Sequence, residues 1–281
     1  MRVDFHVHVT PPEIIANWQK YAKKEKYFAL LSKNPHNKYA CAEDIIAAFN
    51  ESEFDKAVVF GFAFKDLGLC RFVNDYVIEK TRQYPDRLIG FMSVSPNAKG
   101  AEKEIDRCFA AGLRGIGELY PDGQGFNIDN EKETRAFTNA CVERNIPLIL
   151  HVNEPVGHEY IGKNNIPLKK IERFIDNSRN LKVVLAHWGG GLMFYETMKE
   201  IKEKFRNVYY DTAAAPFLYD PRIYRAAHAL GLCEKILFAS DFPLLPPSRY
   251  MDELEKSGLS AEDRQLICGG NAIRLLSNKN S

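Results

Sequence analysis

Eight short apolar runs alternate with segments of helical periodicity along this chain, and this alternation constrains the fold more than any other feature. The runs lie near residues 2–8, 56–62, 88–93, 114–119, 147–152, 182–187, 207–211 and 235–240. Continuous Val, Ile, Leu and Phe runs are typical of strands covered on both faces, and strand–helix alternation is typical of parallel β-α units. The sequence therefore predicts an α/β fold, and with eight such units a (β/α)8 TIM barrel.

Length and composition agree with a single barrel domain over residues 1–281. Barrels of about 250 residues routinely fold as one unit, and this chain has 281 residues, of which 45% are hydrophobic and 27% charged. Two additions to a minimal barrel are predicted. An insertion follows the first strand over residues 10–40 and is expected to cover the barrel mouth. Residues 249–278, after the eighth strand, are expected to be entirely helical and to form extra C-terminal helices.

Charge and cysteine content argue against several classes of protein. The net charge of +1 gives no basis for binding nucleic acid or an acidic membrane surface. No apolar run approaches the roughly 20 residues of a membrane span, and no secretion signal is recognised. The six cysteines are widely spaced, which is typical of reduced thiols. We expect a cytoplasmic protein that acts on a small molecule, without nucleic-acid or membrane partners; a homodimer would suit an enzyme of this size.

Side chains of the types that bind metals stand at the downstream ends of these apolar runs. They are His6, His8, Glu118, His151, His187 and Asp241. The C-terminal ends of parallel strands meet at one end of a barrel, where the catalytic residues of such enzymes lie. Residues i and i+2 of a strand point to the same side, so His6 and His8 are expected to project together, with Val3, Phe5 and Val7 facing the covering helices. The shared strand positions predict a metal site.

The remaining histidines lack this placement. His36 falls in the predicted insertion, His158 in a loop and His228 on a helix, and none of them ends a strand. We assign His228 to the surface or to a structural role, and leave His158 as a minor candidate for substrate contact.

Three further residues are weaker candidates for binding substrate. Lys65 follows the second strand and would pair with a substrate carboxylate, Trp188 follows His187 and would stack on a substrate, and Asp211 ends the seventh strand. Each has an ordinary structural alternative: a solvated loop lysine, a packing residue and a hydrogen-bond acceptor within a loop. That alternative is favoured for Lys65 and for Trp188.

Four segments of the chain together resemble the amidohydrolase-2 family, which includes aminocarboxymuconate-semialdehyde decarboxylase and related decarboxylases, lactonases and hydrolases. The segments are Asp4-Phe5-His6-Val7-His8, Leu185-Ala186-His187-Trp188-Gly189-Gly190, Ala239-Ser240-Asp241-Phe242-Pro243 and Gly270-Asn271-Ala272-Ile273-Arg274-Leu275-Leu276. The resemblance implies a metal site, usually of zinc, with the ligands His6, His8, His151 and Asp241. It also implies that His187 activates the metal-bound water, and Asp241 can serve as a proton acceptor as well as a ligand.

Glu118 departs from this single-metal pattern. A glutamate at the end of the fourth strand resembles the TatD-type hydrolases, in which it helps to hold two ions. The ligands would then divide into two groups: His6, His8 and Asp241 in the first, and Glu118, His151 and His187 in the second. Otherwise Glu118 would hydrogen-bond a ligand histidine. The family segments favour one ion, and imidazole and carboxylate ligands also accept Mn²⁺ or Fe²⁺.

The leading functional prediction is a metal-dependent hydrolase of a small-molecule ester, lactone or amide. A metal-bound hydroxide would attack the carbonyl carbon, with His187 and Asp241 handling protons. The first alternative uses the same ligands for the non-hydrolytic decarboxylation of an aromatic or unsaturated carboxylic acid. The second is a TatD-like binuclear phosphoesterase or nuclease, which the balanced charge disfavours. A catalytically inactive barrel that serves as a scaffold is disfavoured by the complete set of ligands.

Overall fold

A computed structural model describes residues 1–34 and 38–277, and it contains all eight predicted strands, each somewhat shorter than its apolar run. They are β1 (Val3–His8), β2 (Lys56–Phe60), β3 (Leu88–Gly90), β4 (Ile116–Leu119), β5 (Leu148–Leu150), β6 (Val183–Leu185), β7 (Val208–Asp211) and β8 (Ile236–Leu237). All the strand pairs are parallel, in the orders β1-β2-β3 and β4-β5-β6-β7-β8.

Two parallel bridges connect these sheets into a ring. Met92, just after β3, pairs with Ile116 of β4, and Val7 of β1 pairs with Phe242 beyond β8. Backbone hydrogen bonds support both connections: the amide of Met92 donates to the Gly115 carbonyl at 2.8 Å and that of His8 to the Phe242 carbonyl at 2.8 Å. The predicted (β/α)8 barrel is confirmed.

Helices separate the strands and cover the barrel. The α-helices are Pro12–Ala16, Trp18–Ala22, Lys26–Leu31, Ala42–Glu51, Leu67–Gln83, Ala101–Ala110, Pro121–Gln124, Glu131–Glu143, Leu168–Asn177, Lys199–Lys204, Ala215–Leu218, Ile223–Ala229, Pro247–Lys256, Ala261–Gln265 and Asn271–Leu276. Helical turns of other types span His187–Thr197, Cys233–Lys235 and Leu266–Gly270. Among the described residues, no helix is both long enough and apolar enough to cross a membrane.

The barrel interior is a small apolar cluster built from residues in or just after the strands, together with two residues of helix Asn271–Leu276. It contains Val3, Phe5, Val58, Phe60, Phe91, Ile149, Val184, Ala186, Leu237, Ala272 and Leu275. Val7, by contrast, belongs to the larger cluster between the strands and the helices. The prediction that Val3 and Phe5 face the helices is therefore wrong. The register of β1 against β2 shifts between Asp4 and Val7, and such an irregularity changes which side chains share a face.

The insertion after β1 covers the mouth of the barrel, as predicted. Its helix Lys26–Leu31 carries Tyr27, which stacks on Tyr120 beyond β4 with ring centroids 3.8 Å apart. The Glu25 carboxylate accepts hydrogen bonds from the backbone amides of Lys65 and Asp66 at 2.9 and 2.8 Å. His36 lies outside the described residues.

The extra C-terminal helices are present, but they are not continuous over residues 249–278. Residues 257–260 separate two helices, Pro247–Lys256 and Ala261–Gln265. Gly258 has a φ of 76°, and the Ser260 hydroxyl accepts a hydrogen bond from the Asp263 amide at 3.0 Å, which starts a new helix. Residue 278 lies outside the described residues.

Candidate metal centre and active site

The side chains predicted to bind a metal all meet at the C-terminal end of the barrel. His6 and His8 belong to β1 and Glu118 to β4, whereas His151, His187 and Asp241 follow β5, β6 and β8. They form two groups of three, and within each group the ligand atoms lie within 4.8 Å of one another. The histidines and Glu118 are buried, and the Asp241 side chain is 15% exposed.

The first group consists of His6, His8 and Asp241. The Nε2 atoms of His6 and His8 are 3.3 Å apart. Asp241 Oδ1 lies 3.6 Å from His6 Nε2 and 3.3 Å from His8 Nε2. Donor atoms that share an ion through bonds of about 2.0–2.1 Å lie roughly 3.0–3.4 Å apart. Two of the three separations lie in this range and the third, 3.6 Å, slightly exceeds it, so a small shift would let the three atoms bind one divalent cation.

Glu118 connects this group to the second one. Its Oε2 atom lies 3.7 Å from His8 Nε2, while its Oε1 atom lies 2.7 Å from His151 Nδ1 and 3.5 Å from His187 Nε2. The two histidines of the second group also face each other, with His187 Nε2 3.2 Å from His151 Nδ1. One carboxylate thus faces both groups, so Glu118 is placed to ligate an ion in either of them.

The carboxylates make the electrostatic field of the site strongly negative. Burial opposes the charged form of His6, yet Asp211, Glu118 and Asp241 outweigh it and raise the pKa of this histidine to about 9. Burial opposes the charged form of His187 too, but Glu118 and Asp241 help to raise its pKa to about 10. Neighbouring histidines hold the pKa of Glu118 well below its ordinary value in spite of burial. Such a field attracts a cation.

The cluster forms the base of a pocket with mainly aromatic and apolar walls. Beyond the cluster, the described lining residues are Tyr27, Leu31, Asn34, Phe62, Asn153, His158, Tyr160, Ile161, Gly162, Ala214, Phe217, Leu218, Pro243 and Leu244. The ring of Phe62 stacks on that of His8, with centroids 4.6 Å apart and an interplanar angle of 7°. Flat apolar walls above a polar base suit a planar ligand that carries a charged group.

Asn153 and Tyr160 are pocket residues that the sequence analysis missed. Asn153 Oδ1 lies 2.9 Å from His151 Nε2, and its Nδ2 donates to the Tyr160 hydroxyl at 2.7 Å. Asn153 stands two residues after His151, and this i, i+2 spacing was the available signal for it. Tyr160 lies in a loop without periodicity, so the sequence held no comparable signal for its position.

The three weaker candidates lie away from the pocket lining. Lys65 is exposed. Trp188 is fully buried and packs edge-on against Tyr224 with centroids 5.2 Å apart, so it belongs to the core. Asp211 is also fully buried, and its Oδ2 atom lies 2.9 Å from His6 Nδ1. It therefore contacts the back of a candidate metal ligand instead of a substrate.

Known proteins similar to this chain include several decarboxylases. A gamma-resorcylate decarboxylase of Polaromonas sp. strain JS666 is 24% identical, over 73% of this chain and 75% of the relative. A 2-amino-3-carboxymuconate-6-semialdehyde decarboxylase of Dictyostelium discoideum is 22% identical, over 98% of this chain and 91% of the relative.

A solved structure shares the fold along nearly the whole chain. It is the 5-carboxyvanillate decarboxylase of Novosphingobium aromaticivorans, complexed with manganese and 4-hydroxy-3-methoxy-5-nitrobenzoic acid. Its TM-score is 0.78 at 17% identity, covering 98% of this chain and 96% of the other.

These relatives overturn the prediction of a hydrolase. They are named as decarboxylases, so the non-hydrolytic alternative has better support than the cleavage of an ester, lactone or amide, or of a phosphoester. The physical reason for the error is that the same histidine and carboxylate ligands serve either reaction, whereas the pocket walls select the substrate. The solved relative is complexed with manganese, so zinc stays a prediction for this chain.

The family model for amidohydrolases matches residues 3–277, which is nearly the whole chain. This match agrees with the barrel and with the strand-end histidines and carboxylates described above. The protein belongs to the amidohydrolase family.

Proposed function

We propose that this protein is a divalent-metal-dependent decarboxylase of an aromatic carboxylic acid. The observation that carries the proposal is the combination of a metal-type cluster at the base of the pocket with flat aromatic walls above it. The base suits a carboxylate, and the walls suit an unsaturated ring. The relatives, which are named for resorcylate, carboxymuconate-semialdehyde and carboxyvanillate, support this class of substrate.

His6, His8 and Asp241 would hold the metal ion, with Glu118 or His151 completing the coordination. Their donor atoms have nearly the separations of ligands that share one ion, and the surrounding carboxylates supply the negative charge. When bound, a divalent cation supplies a positive centre that orients an anionic substrate. Manganese and zinc both accept this set of ligands.

Decarboxylation requires a proton at the carbon that loses its carboxyl group. The carbon–carbon bond breaks, its electron pair stays on the ring carbon, and CO2 leaves as that carbon takes the proton. His187 suits this task, because it lines the pocket and an imidazole can hold and give up a proton near neutral pH. His187 Nδ1 donates to the Ala213 carbonyl at 3.0 Å, so its Nε2 is directed at the cluster. Asp241, at the pocket base, is the second group that can move a proton.

The test is a panel of hydroxybenzoates and unsaturated acids offered to the manganese-loaded enzyme. We expect CO2 release from at least one aromatic acid, with one decarboxylated product per CO2. Esters and lactones of the same ring systems serve as the comparison. Hydrolysis of these compounds without CO2 release from any acid would overturn the proposal.

A matched pair of variants tests the role of His187. His187→Asn removes the proton carrier but leaves the groups of the first cluster in place, so we expect turnover to fall by about 10²- to 10⁴-fold with metal content unchanged. His158→Asn changes a lining histidine outside the cluster and is the comparison: a much smaller loss of turnover there separates proton transfer from contact with the pocket wall. Undiminished turnover in His187→Asn would remove this residue from the mechanism.

A further inference from the structure

A further group of potential metal ligands lies at the other end of the barrel, away from the two groups of the active site. It consists of His228, Cys233 and Asp263, whose ligand atoms lie within 4.8 Å of one another. Cys233 opens the short helix Cys233–Lys235 that leads into β8, so it lies near the N-terminal end of that strand. The active-site residues stand at the C-terminal ends of the strands. The group of His228, Cys233 and Asp263 is thus separate from the pocket.

The distances within the group approach those of a tetrahedral site. His228 Nδ1 lies 2.9 Å from Asp263 Oδ2 and 3.8 Å from Cys233 Sγ. Zinc bonds of about 2.3 Å to sulfur and about 2.0–2.1 Å to nitrogen or oxygen give separations of roughly 3.6 Å between sulfur and nitrogen and roughly 3.3 Å between nitrogen and oxygen. Shifts of a few tenths of an ångström would bring these two separations to the tetrahedral values.

The surrounding structure holds two of the donors and leaves the third accessible. Asn271 Nδ2 donates to the Cys233 carbonyl at 2.7 Å, and the Ser260 hydroxyl accepts from the Asp263 amide at 3.0 Å. The thiol of Cys233 belongs to a residue that is only 7% exposed, whereas the His228 side chain is 59% exposed. An ion can therefore reach the group from solvent, and hydrogen bonds hold the backbone that carries the thiol and the carboxylate.

We propose that His228, Cys233 and Asp263 form a second metal site for a zinc-type cation, with water as the fourth ligand. Sulfur distinguishes this site from the active-site cluster, whose donors are nitrogen and oxygen, because thiolate favours zinc over manganese. Binding releases the thiol proton to solvent. The ion would join helix Ile223–Ala229 to helix Ala261–Gln265 beside the start of β8 and stabilise the folded state.

Cobalt(II) tests the site directly, because a cobalt–thiolate bond gives a charge-transfer band in the near ultraviolet. The active-site donors contain no sulfur, so cobalt bound there does not give this band. We expect the band on titration of the manganese-loaded protein with cobalt, once enough is added to exceed what can replace manganese in the active site. Added zinc should abolish it by displacing the cobalt.

The test variant at Cys233 and its control at Cys268 are matched in burial. Cys233→Ser should eliminate the band, whereas Cys268→Ser, which changes another cysteine that is 7% exposed, should retain it. His228→Asn alters an exposed side chain and should weaken cobalt binding roughly tenfold or more while the circular dichroism spectrum stays unchanged. Absence of the band in the wild-type protein, or its persistence in Cys233→Ser, would refute the site.

Discussion

At the scale of single residues, Asp211 determines how the candidate metal ligands are presented. Its Oδ2 atom accepts from His6 Nδ1 at 2.9 Å, and its Oδ1 atom accepts from the backbone amides of His187 and Ala213 at 2.9 and 3.0 Å. A proton held on Nδ1 leaves the Nε2 lone pair of His6 free to bind a metal. Asp211 therefore positions two histidines of the site without touching the pocket.

Asp211→Asn should impair metal binding although it preserves the shape of the side chain. The new amide can keep its oxygen toward the two backbone donors, but its NH2 group then faces His6 Nδ1. That contact favours the tautomer with the proton on Nε2, which cannot ligate a metal. We expect metal affinity to fall by about 10- to 100-fold, measured by competition with a chelating dye. Asp220→Asn, at an exposed aspartate paired with Arg222, is the control; equal affinities of the two variants would contradict this role.

At the scale of structural elements, the turn after β6 has a backbone of unusual handedness. Five consecutive residues, from His187 to Gly191, have φ values between 57° and 89°. Left-handed conformations are unfavourable for residues with a Cβ atom, and glycine at three of the five positions lowers this cost. The turn directs His187 into the site and brings Gly190 against the backbone of Asn153.

Gly190→Ala should destabilise the protein more than Gly191→Ala. Both changes add a Cβ atom at positive φ, at a cost of about 1–2 kcal/mol. At Gly190, however, the new atom would lie 2.3 Å from the Asn153 carbonyl oxygen, whereas at Gly191 the nearest atom is 3.8 Å away. Urea unfolding would measure the difference in the free energy of unfolding. Equal losses in the two variants would contradict the prediction and show that the turn shifts enough to avoid contact with the Asn153 carbonyl.

Glu104, on helix Ala101–Ala110, makes the contact of this helix with its neighbour depend on pH. Its carboxylate accepts from Arg107 Nη2 at 2.7 Å and from Asn74 Nδ2 at 2.8 Å, and Asn74 lies on helix Leu67–Gln83. Burial opposes ionisation, but these hydrogen bonds outweigh it and hold the pKa of Glu104 below its ordinary 4.5. The resulting stabilisation is complete above pH 4.5 and is lost as the pH falls through the lowered pKa.

Glu104→Gln should therefore reduce stability in a pH-dependent way. At pH 7 we expect a loss of about 1–3 kcal/mol in the free energy of unfolding, because the variant lacks the charged acceptor. The difference in the free energy of unfolding between the variant and the wild type should become smaller as the pH falls below 4.5. Denaturant unfolding between pH 3 and pH 7 measures it, with exposed Glu102→Gln as the comparison; a gap that stays constant with pH would contradict the account.

At the scale of the whole molecule, the site draws its residues from both ends of the chain. The first group combines His6 and His8 with Asp241, and closure of the ring pairs Val7 with Phe242. A metal ion bound there would cross-link the first strand to the segment that follows the last one. Because the ion would bind only the folded barrel, it would stabilise the molecule by mass action.

Removal of metal should lower the unfolding temperature while leaving a single transition. Free metal at 100 times its dissociation constant contributes about 2.7 kcal/mol to stability, which a chelator would remove. The single domain predicted for residues 1–281 requires near- and far-ultraviolet circular dichroism to change together. Two separate transitions would contradict the prediction of one domain, and an unchanged unfolding temperature would contradict stabilisation by metal.

Much of the fold and the set of candidate metal ligands could be predicted from the sequence, because their signals are local. Each strand is an apolar run, and each candidate ligand stands within or just after such a run. The i, i+2 spacing brought His6 and His8 to one side of β1. The eight parallel strands then required these residues to meet at one end of the barrel.

Other features were decided only by contacts between distant parts of the chain. A register shift turned Phe5 into the barrel interior, and a hydrogen bond across 205 positions made Asp211 the partner of His6. The pocket walls combine Tyr27 of the insertion with Tyr160 of a later loop. The sequence by itself determined which groups can bind a metal. The tertiary structure decided what surrounds them, and the reaction follows from those surroundings because one set of ligands serves several reactions.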